Sequence, residues 1–222
     1  PATAEEEDVR AAYAAEQAWE AMTTSKDIER TSARALWWMV ITGNGFLKQW
    51  WDPGCEDENG MPIGDIKFES VSPFHLFVPD LFEREMDNQP YIIQAQTRTI
   101  EWVRAFYPEE LRGVDLNAEK QGDGGSMIDE AFRQIVRAPK QKDDTVTVYE
   151  YWVKKGATDL LPEGGLLVYV GDTLVAYHPE FPYKHNQLPY SKLEHLFNDT
   201  FYAESPLADL LELQKEYNET RS

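Results

Sequence analysis

The dipeptide Ser205-Pro206, followed by Leu207, Ala208 and Asp209, commits the closing stretch of this chain to a helix. Serine can accept from a free backbone N–H as N-cap, proline fits the first helical position where no N–H is needed, and Asp209 meets the positive end of the helix dipole. Leu207, Leu210, Leu211, Gln214, Tyr217, Asn218 and Arg221 then follow the i, i+3, i+4, i+7 spacing. That spacing sets the leucines and the tyrosine on one stripe and leaves Glu212, Lys215, Glu216 and Glu219 largely off it. One face is therefore built to be covered, and these seven residues form a candidate assembly face. No glycine or proline stop follows the last periodic residue, so a longer parent protein cut inside or near a helix is expected.

The rest of the chain reads as α+β. Residues 5–23 are rich in alanine and glutamate with acids leading, the pattern of a helix. A second helix spans about 26–42 and stops at Gly43-Asn44-Gly45. From there the periodicity shifts from 3.6 towards 2. Phe46–Trp51 and Asp65–Val71 read as the strands of a hairpin with a long acidic tip at Asp52–Pro62. Ser72–Asp80, fenced by Pro73 and Pro79, suits a sheet edge, because proline cannot donate to a ladder. Residues 91–97 read as a further strand, and Thr99–Tyr107 as a short helix ended by Pro108. Gly113–Pro139 is expected to be an excursion with one or two helical turns near Ile128–Val136. Strands at Thr145–Val153, Leu166–Val170, Thr173–Tyr177 and Lys192–Phe197 are expected to form a small antiparallel meander, with Gly171-Asp172 as a two-residue turn. The expected organisation is thus a helical region over 1–44, a β-rich domain over 45–200, and the start of a long helix over 201–222. No internal repeat or low-complexity tract is present.

Composition narrows the function. The chain carries 40 acidic against 21 basic residues, a formal charge of −19. Such a charge repels phosphate backbones and anionic membrane surfaces over roughly 8 Å at physiological salt, which argues against tight, wrapping nucleic-acid binding. It still allows an acidic surface past which DNA slides without sticking. The single Cys55 excludes an intramolecular disulfide, and no apolar run approaches the roughly 20 residues of a membrane span. The opening residues lack the basic and apolar regions of a signal peptide, so a soluble, cytosolic chain is expected.

A catalytic reading finds little to hold. His75, His178, His185 and His195 are scattered, and His178-Pro179-Glu180 with His185 lacks a third ligand at a telling distance. Asp57, Glu58 and Asp65, or Glu101 and Glu109, could be paired as general acid and base, but among 40 acids such pairs arise by chance. Cys55 has no nearby histidine. Gly122, Gly124 and Gly125 lack the preceding strand and the Lys-Ser/Thr of a phosphate-binding loop. Trp37-Trp38 and Trp50-Trp51 could stack on sugars or bases, although aromatic pairs on helices and strands ordinarily serve a core or an interface. No catalytic residue, cofactor or metal ligand is assigned.

One resemblance goes further. The order of elements runs from a helix through Gly43-Asn44-Gly45-Phe46-Leu47-Lys48-Gln49-Trp50-Trp51-Asp52 and Val71-Ser72-Pro73-Phe74-His75-Leu76-Phe77-Val78-Pro79-Asp80. It continues through Glu101-Trp102-Val103-Arg104 and Val148-Tyr149-Glu150-Tyr151-Trp152 to Phe201-Tyr202-Ala203-Glu204-Ser205-Pro206-Leu207 and Leu213-Gln214-Lys215-Glu216-Tyr217-Asn218-Glu219-Thr220-Arg221-Ser222. This pattern, over about 17–222, resembles the N-terminal, wing-containing half of a tailed-bacteriophage portal protein. Its most specific part is the Ser-Pro entry into a helix carrying Leu-Gln-x-x-Tyr-Asn.

The resemblance implies a structural subunit of a dodecameric ring at the capsid vertex, serving DNA packaging and ejection and tail attachment. Its implied partners are further copies of itself, capsid and scaffold proteins, the terminase and tail adaptors, with double-stranded DNA passing through the channel without tight binding. The implied location is the virion, with no membrane partner, and the C-terminal helix is implied to lead towards the stem. Two other classes stand beside it. One is a hydrolase using acidic residues, which converging carboxylates with raised pKa values would mark. The other is a carbohydrate- or protein-binding module, which exposed tryptophans on the meander would mark.

Overall fold

The computed structural model describes residues 6–56, 59–116 and 145–221. Among them stand four α-helices and two antiparallel sheets, an α+β fold with a C-terminal helix. The helices are α1 (Glu6–Ser25), α2 (Ile28–Thr42), α3 (Ile100–Phe106) and α4 (Ala208–Arg221). The strands are β1 (Asn44–Asp52), β2 (Asp65–Val71), β3 (Leu76–Phe77), β4 (Tyr91–Thr99), β5 (Thr145–Val153), β6 (Gly165–Val170), β7 (Thr173–His178) and β8 (Tyr190–Glu194). Most of the Gly113–Pro139 excursion, Asp57 and Glu58 lie outside the described residues.

The chain divides into two compact units, neither continuous in sequence. The first takes residues 6–71, 189–198 and 203–221, and the second takes 72–188 and 199–202. Segments 45–71 and 189–198 thus belong with the N- and C-terminal helices.

In the first unit α2 turns directly into β1. Gly43 caps the helix at φ 89°, its N–H bonded to the Met39 carbonyl at 2.9 Å, a left-handed conformation that costs glycine nothing. A Cβ at Gly45 would collide with the Ala35 carbonyl oxygen, so glycine there lets helix and strand backbones touch. Between the two glycines, Asn44 is only 2% exposed. Its side-chain amide donates to the Ala203 carbonyl at 3.0 Å and accepts from the Ala203 N–H at 2.9 Å, closing a contact over 159 residues. β1 pairs with β2 from Phe46↔Val71 to Asp52↔Asp65, the expected hairpin.

β8 corrects the expected meander. The strand expected at Lys192–Phe197 forms at Tyr190–Glu194 and pairs with β1, from Asn44↔Glu194 to Lys48↔Tyr190. Alternating polarity marks a strand but not the edge it joins. With β2 on one side of β1, the other side was open, and there Tyr190 lies beside Lys48, whose Nζ is 5.8 Å from the tyrosine ring and 5.0 Å from that of Trp50.

The second unit holds the five-stranded sheet β3-β4-β5-β6-β7. β4 and β5 pair along their full length, from Tyr91↔Val153 to Thr99↔Thr145, and a bulge between Val168 and Tyr169 shifts the β6–β7 register. One sheet face presents Val146, Val148, Val168 and Val170, and Val103 of α3 with Leu111, Leu116 and Val175 packs into the same core. The short helix starts where its sequence indicates: Thr99 caps it, accepting from the Trp102 N–H at 3.2 Å. Phe201 is fully buried, its N–H bonded to the Leu81 carbonyl at 2.7 Å. Tyr202 donates its hydroxyl to the Leu76 carbonyl at 2.6 Å, and burial pushes its pKa up to about 12.

Two predictions follow from these anchors. Asn44→Ala leaves both backbone groups of Ala203 buried without their partner and is expected to cost about 2–4 kcal/mol in urea unfolding; a loss below about 0.5 kcal/mol would contradict the assigned role. Because the folded pKa of Tyr202 lies above the ordinary 10.0, its contribution is complete below about pH 10 and fades as pH rises towards about 12. Tyr202→Phe should therefore cost about 1 kcal/mol near pH 8, with the gap to wild type narrowing near pH 11; a gap that widens with pH would refute this.

Candidate functional site

The stripe singled out in the sequence lies on α4. Its entry is tied down within the first unit: the Ser205 hydroxyl donates to the Val40 carbonyl at 3.3 Å and accepts from the Leu207 N–H at 3.1 Å. The regular helix begins at Ala208, two residues after the proline, since Pro206 and Leu207 form the turn that enters it. Beyond that anchor none of its described residues is buried. Leu207 is 37% exposed, Leu210 55%, Leu211 62% and Tyr217 53%, and Leu213, off the stripe, is 62% exposed. Gln214 donates to Asn218 at 3.0 Å, and Arg221 bonds the Tyr217 hydroxyl at 2.5 Å with its guanidinium 5.1 Å from the ring. The polar members of the face thus stiffen the helix along one side, by contacts one turn apart. Six of the seven residues lie on α4 and Leu207 in the turn that enters it, and the apolar ones are open.

The same unit opens further apolar side chains on its other helices. On α1, Tyr13 and Trp19 are exposed, and on α2 Leu36, Trp37 and Val40 are exposed, with Trp37 set edge-on to Trp38 at 5.1 Å.

The residues considered for catalysis are not brought together. His75 lies in a 3-10 turn, His178 ends β7, His195 follows β8, and His185 stacks on Tyr183 at 5.3 Å while its Nδ1 accepts from the Gln187 N–H. Among the described residues no three His, Cys, Asp or Glu side chains gather to hold a metal. Asp65 is engaged by Lys26 and Lys67, and the Lys26 hydrogen bond leads the effects that hold its carboxyl below the ordinary range, the opposite direction from a general acid. Glu109 pairs with Arg112 at 3.3 Å, and Glu101 is exposed in the first turn of α3. The Cys55 thiol donates to Asp52 at 3.3 Å. Trp51 covers the backbone of Gly64, where any Cβ would strike its ring. Trp152, on the meander, is 4% exposed, and its ring stacks with Tyr183 at 6.2 Å.

A second surface was missed in the sequence. The registers place Tyr91, Ile93, Tyr149, Tyr151, Leu167, Tyr169 and Tyr177 on the face of the five-stranded sheet opposite the valine core. Tyr151 and Tyr169 meet edge-on at 5.5 Å, and partial burial, then the neighbouring Tyr169 and Tyr91, raise the Tyr151 pKa. The signal was present as tyrosines at every second position of Val148-Tyr149-Glu150-Tyr151, but only the register shows that four strands align them.

No protein-family model matches the chain, and no curated protein is significantly similar to it. Among the described residues no helix is long and apolar enough to cross a membrane.

The exposure of Leu210 and Leu211 makes a direct prediction. The double substitution to serine is expected to shift thermal unfolding by less than about 0.5 kcal/mol per site, as for surface changes generally. A loss of several kcal/mol would mean that the stripe is covered within the folded chain.

Proposed function

We propose that this chain is a structural subunit of a bacteriophage portal ring at the capsid vertex, serving DNA packaging and ejection and tail attachment. The observation that carries the reading is α4: a helix held at its base by Ser205 whose leucines and tyrosine stand open. Exposed apolar patches of this kind mark protein contacts in soluble proteins. A ring subunit needs such flanks, because each copy presents a different surface to each neighbour and the contacts close only when the rotation does. The chain makes and breaks no bond in this role. Packaging is driven by a separate ATP-hydrolysing terminase, while the ring offers rigid faces to capsid, scaffold and tail adaptor. A charge of −19 fits a subunit past which DNA moves, since a surface that repels phosphate does not hold the duplex.

The module reading looked for exposed tryptophans on the meander, and the buried Trp152 does not supply them. The hydrolase reading looked for converging carboxylates with raised pKa values, and Asp65 moves the other way.

Electron microscopy of the intact protein tests the proposal. A closed dodecameric ring is expected, reduced to smaller species by Leu210→Ser with Leu211→Ser while the far-ultraviolet circular dichroism stays unchanged. A monomeric wild type, or rings indifferent to the double substitution, would overturn it.

A further inference from the structure

The two sheets have four edges, and three are guarded by charge, proline or shortness. β2 carries Asp65, Lys67 and Glu69, β8 carries Lys192 and Glu194, and β3 is two residues long between Pro73 and Pro79. Charges, prolines and shortness are the devices by which proteins keep an edge from recruiting another strand. β7 has no charge, no proline and a full six residues, and its one guarding feature is the bulge where it pairs with β6. Its six residues, Thr173-Leu174-Val175-Ala176-Tyr177-His178, include no Asp, Glu, Lys, Arg, Pro or Gly, and among the described residues no strand pairs with its outer side.

The side chains along that edge are also arranged for contact. The bulge between Val168 and Tyr169 sets Leu174 opposite Tyr169, and Tyr177 stands opposite Leu167, so both join the tyrosine-bearing face. They are 44% and 48% exposed, while Val175 turns into the core. We propose that the open edge of β7 is a docking site for an extended segment of a partner protein, added as a sixth strand, uncharged at its centre and basic at both ends. Backbone hydrogen bonds to β7 hold the segment, and its alternate side chains lie against Leu174 and Tyr177, continuing the aromatic face.

Charge decides between this occupant and a second copy. Asp172 precedes the strand and Glu180 follows it by two residues, both exposed. Pairing β7 with another β7 would bring acids to acids at both ends, within a chain already at −19. A segment with lysine or arginine at each end instead meets opposite charges there.

The test uses fluorescence anisotropy of a labelled synthetic peptide with alternating valine and tyrosine at its centre and two lysines at each end. Binding is expected, with slowed amide exchange across 173–178. It should weaken at least tenfold when alternate peptide nitrogens are methylated, when the lysines are replaced by glutamates, or when the protein carries Leu174→Ser with Tyr177→Ser. Because both side chains are exposed, that variant should keep its fold, checked by circular dichroism. No binding up to about millimolar peptide, equal binding of the methylated or acidic peptide, or self-association of the protein through β7 would each overturn the proposal.

Discussion

The first unit depends on one side chain. Asn44 uses its amide as a strand uses its backbone, giving one hydrogen bond to Ala203 and taking another, and the pair is buried from water. A buried amide with both partners gains from the low dielectric around it, and either backbone group left alone would cost more than the bond is worth in water. The two glycines beside Asn44 make the approach possible, one by turning the chain out of α2 and the other by letting β1 lie against the helix backbone. The Gly43 carbonyl also accepts from the His195 N–H at 3.0 Å, so the chain after β8 is fixed at the same corner. Through this corner the C-terminal segment is held two residues before Ser205, which bonds α2 in turn. The base of α4 is therefore set by a polar lock, whereas along its length no described residue is buried.

That contrast explains how a stable unit can carry an open helix. Stability comes from residues such as Phe46 and Val71, both essentially buried, at roughly 1.5–3 kcal/mol for a fully buried aliphatic or aromatic side chain. α4 adds little of this, because helix propensity alone is marginal over 14 residues without packing. Changing its exposed leucines should therefore leave the fold in place.

The five-stranded sheet divides its work by face. Valines on β5 and β6 pack under α3, where branched side chains fill a pleated surface well. The opposite face collects tyrosines, which pair with one another and keep a hydroxyl for water or a partner. A single bulge in β6–β7 makes the two faces meet at the edge, turning Val175 inward while Leu174 and Tyr177 stay out. Surface chemistry on this sheet is accordingly a matter of register: one residue of slip would exchange the tyrosines for the valines.

Local signals in the sequence determined the elements. Acidic starts and alanine gave α1, glycine gave the end of α2, Pro108 gave the end of α3, Ser-Pro gave the entry to α4, and period-two alternation gave Asp65–Val71 residue for residue. These are legible because a cap or a pleat is decided within a few residues. The spacing along α4 was legible for the same reason, being a property of one helix, whereas the exposure of its leucines is seen only in the structure. The tertiary structure alone decided which strands share a sheet, and so moved β8 from the meander to β1. It alone gave Asn44 its distant partner, gathered tyrosines from separate strands onto one face, and left β7 at the edge of its sheet without charge or proline. Pairing joins residues far apart in the chain, and alternation names a strand's two faces without naming its neighbour.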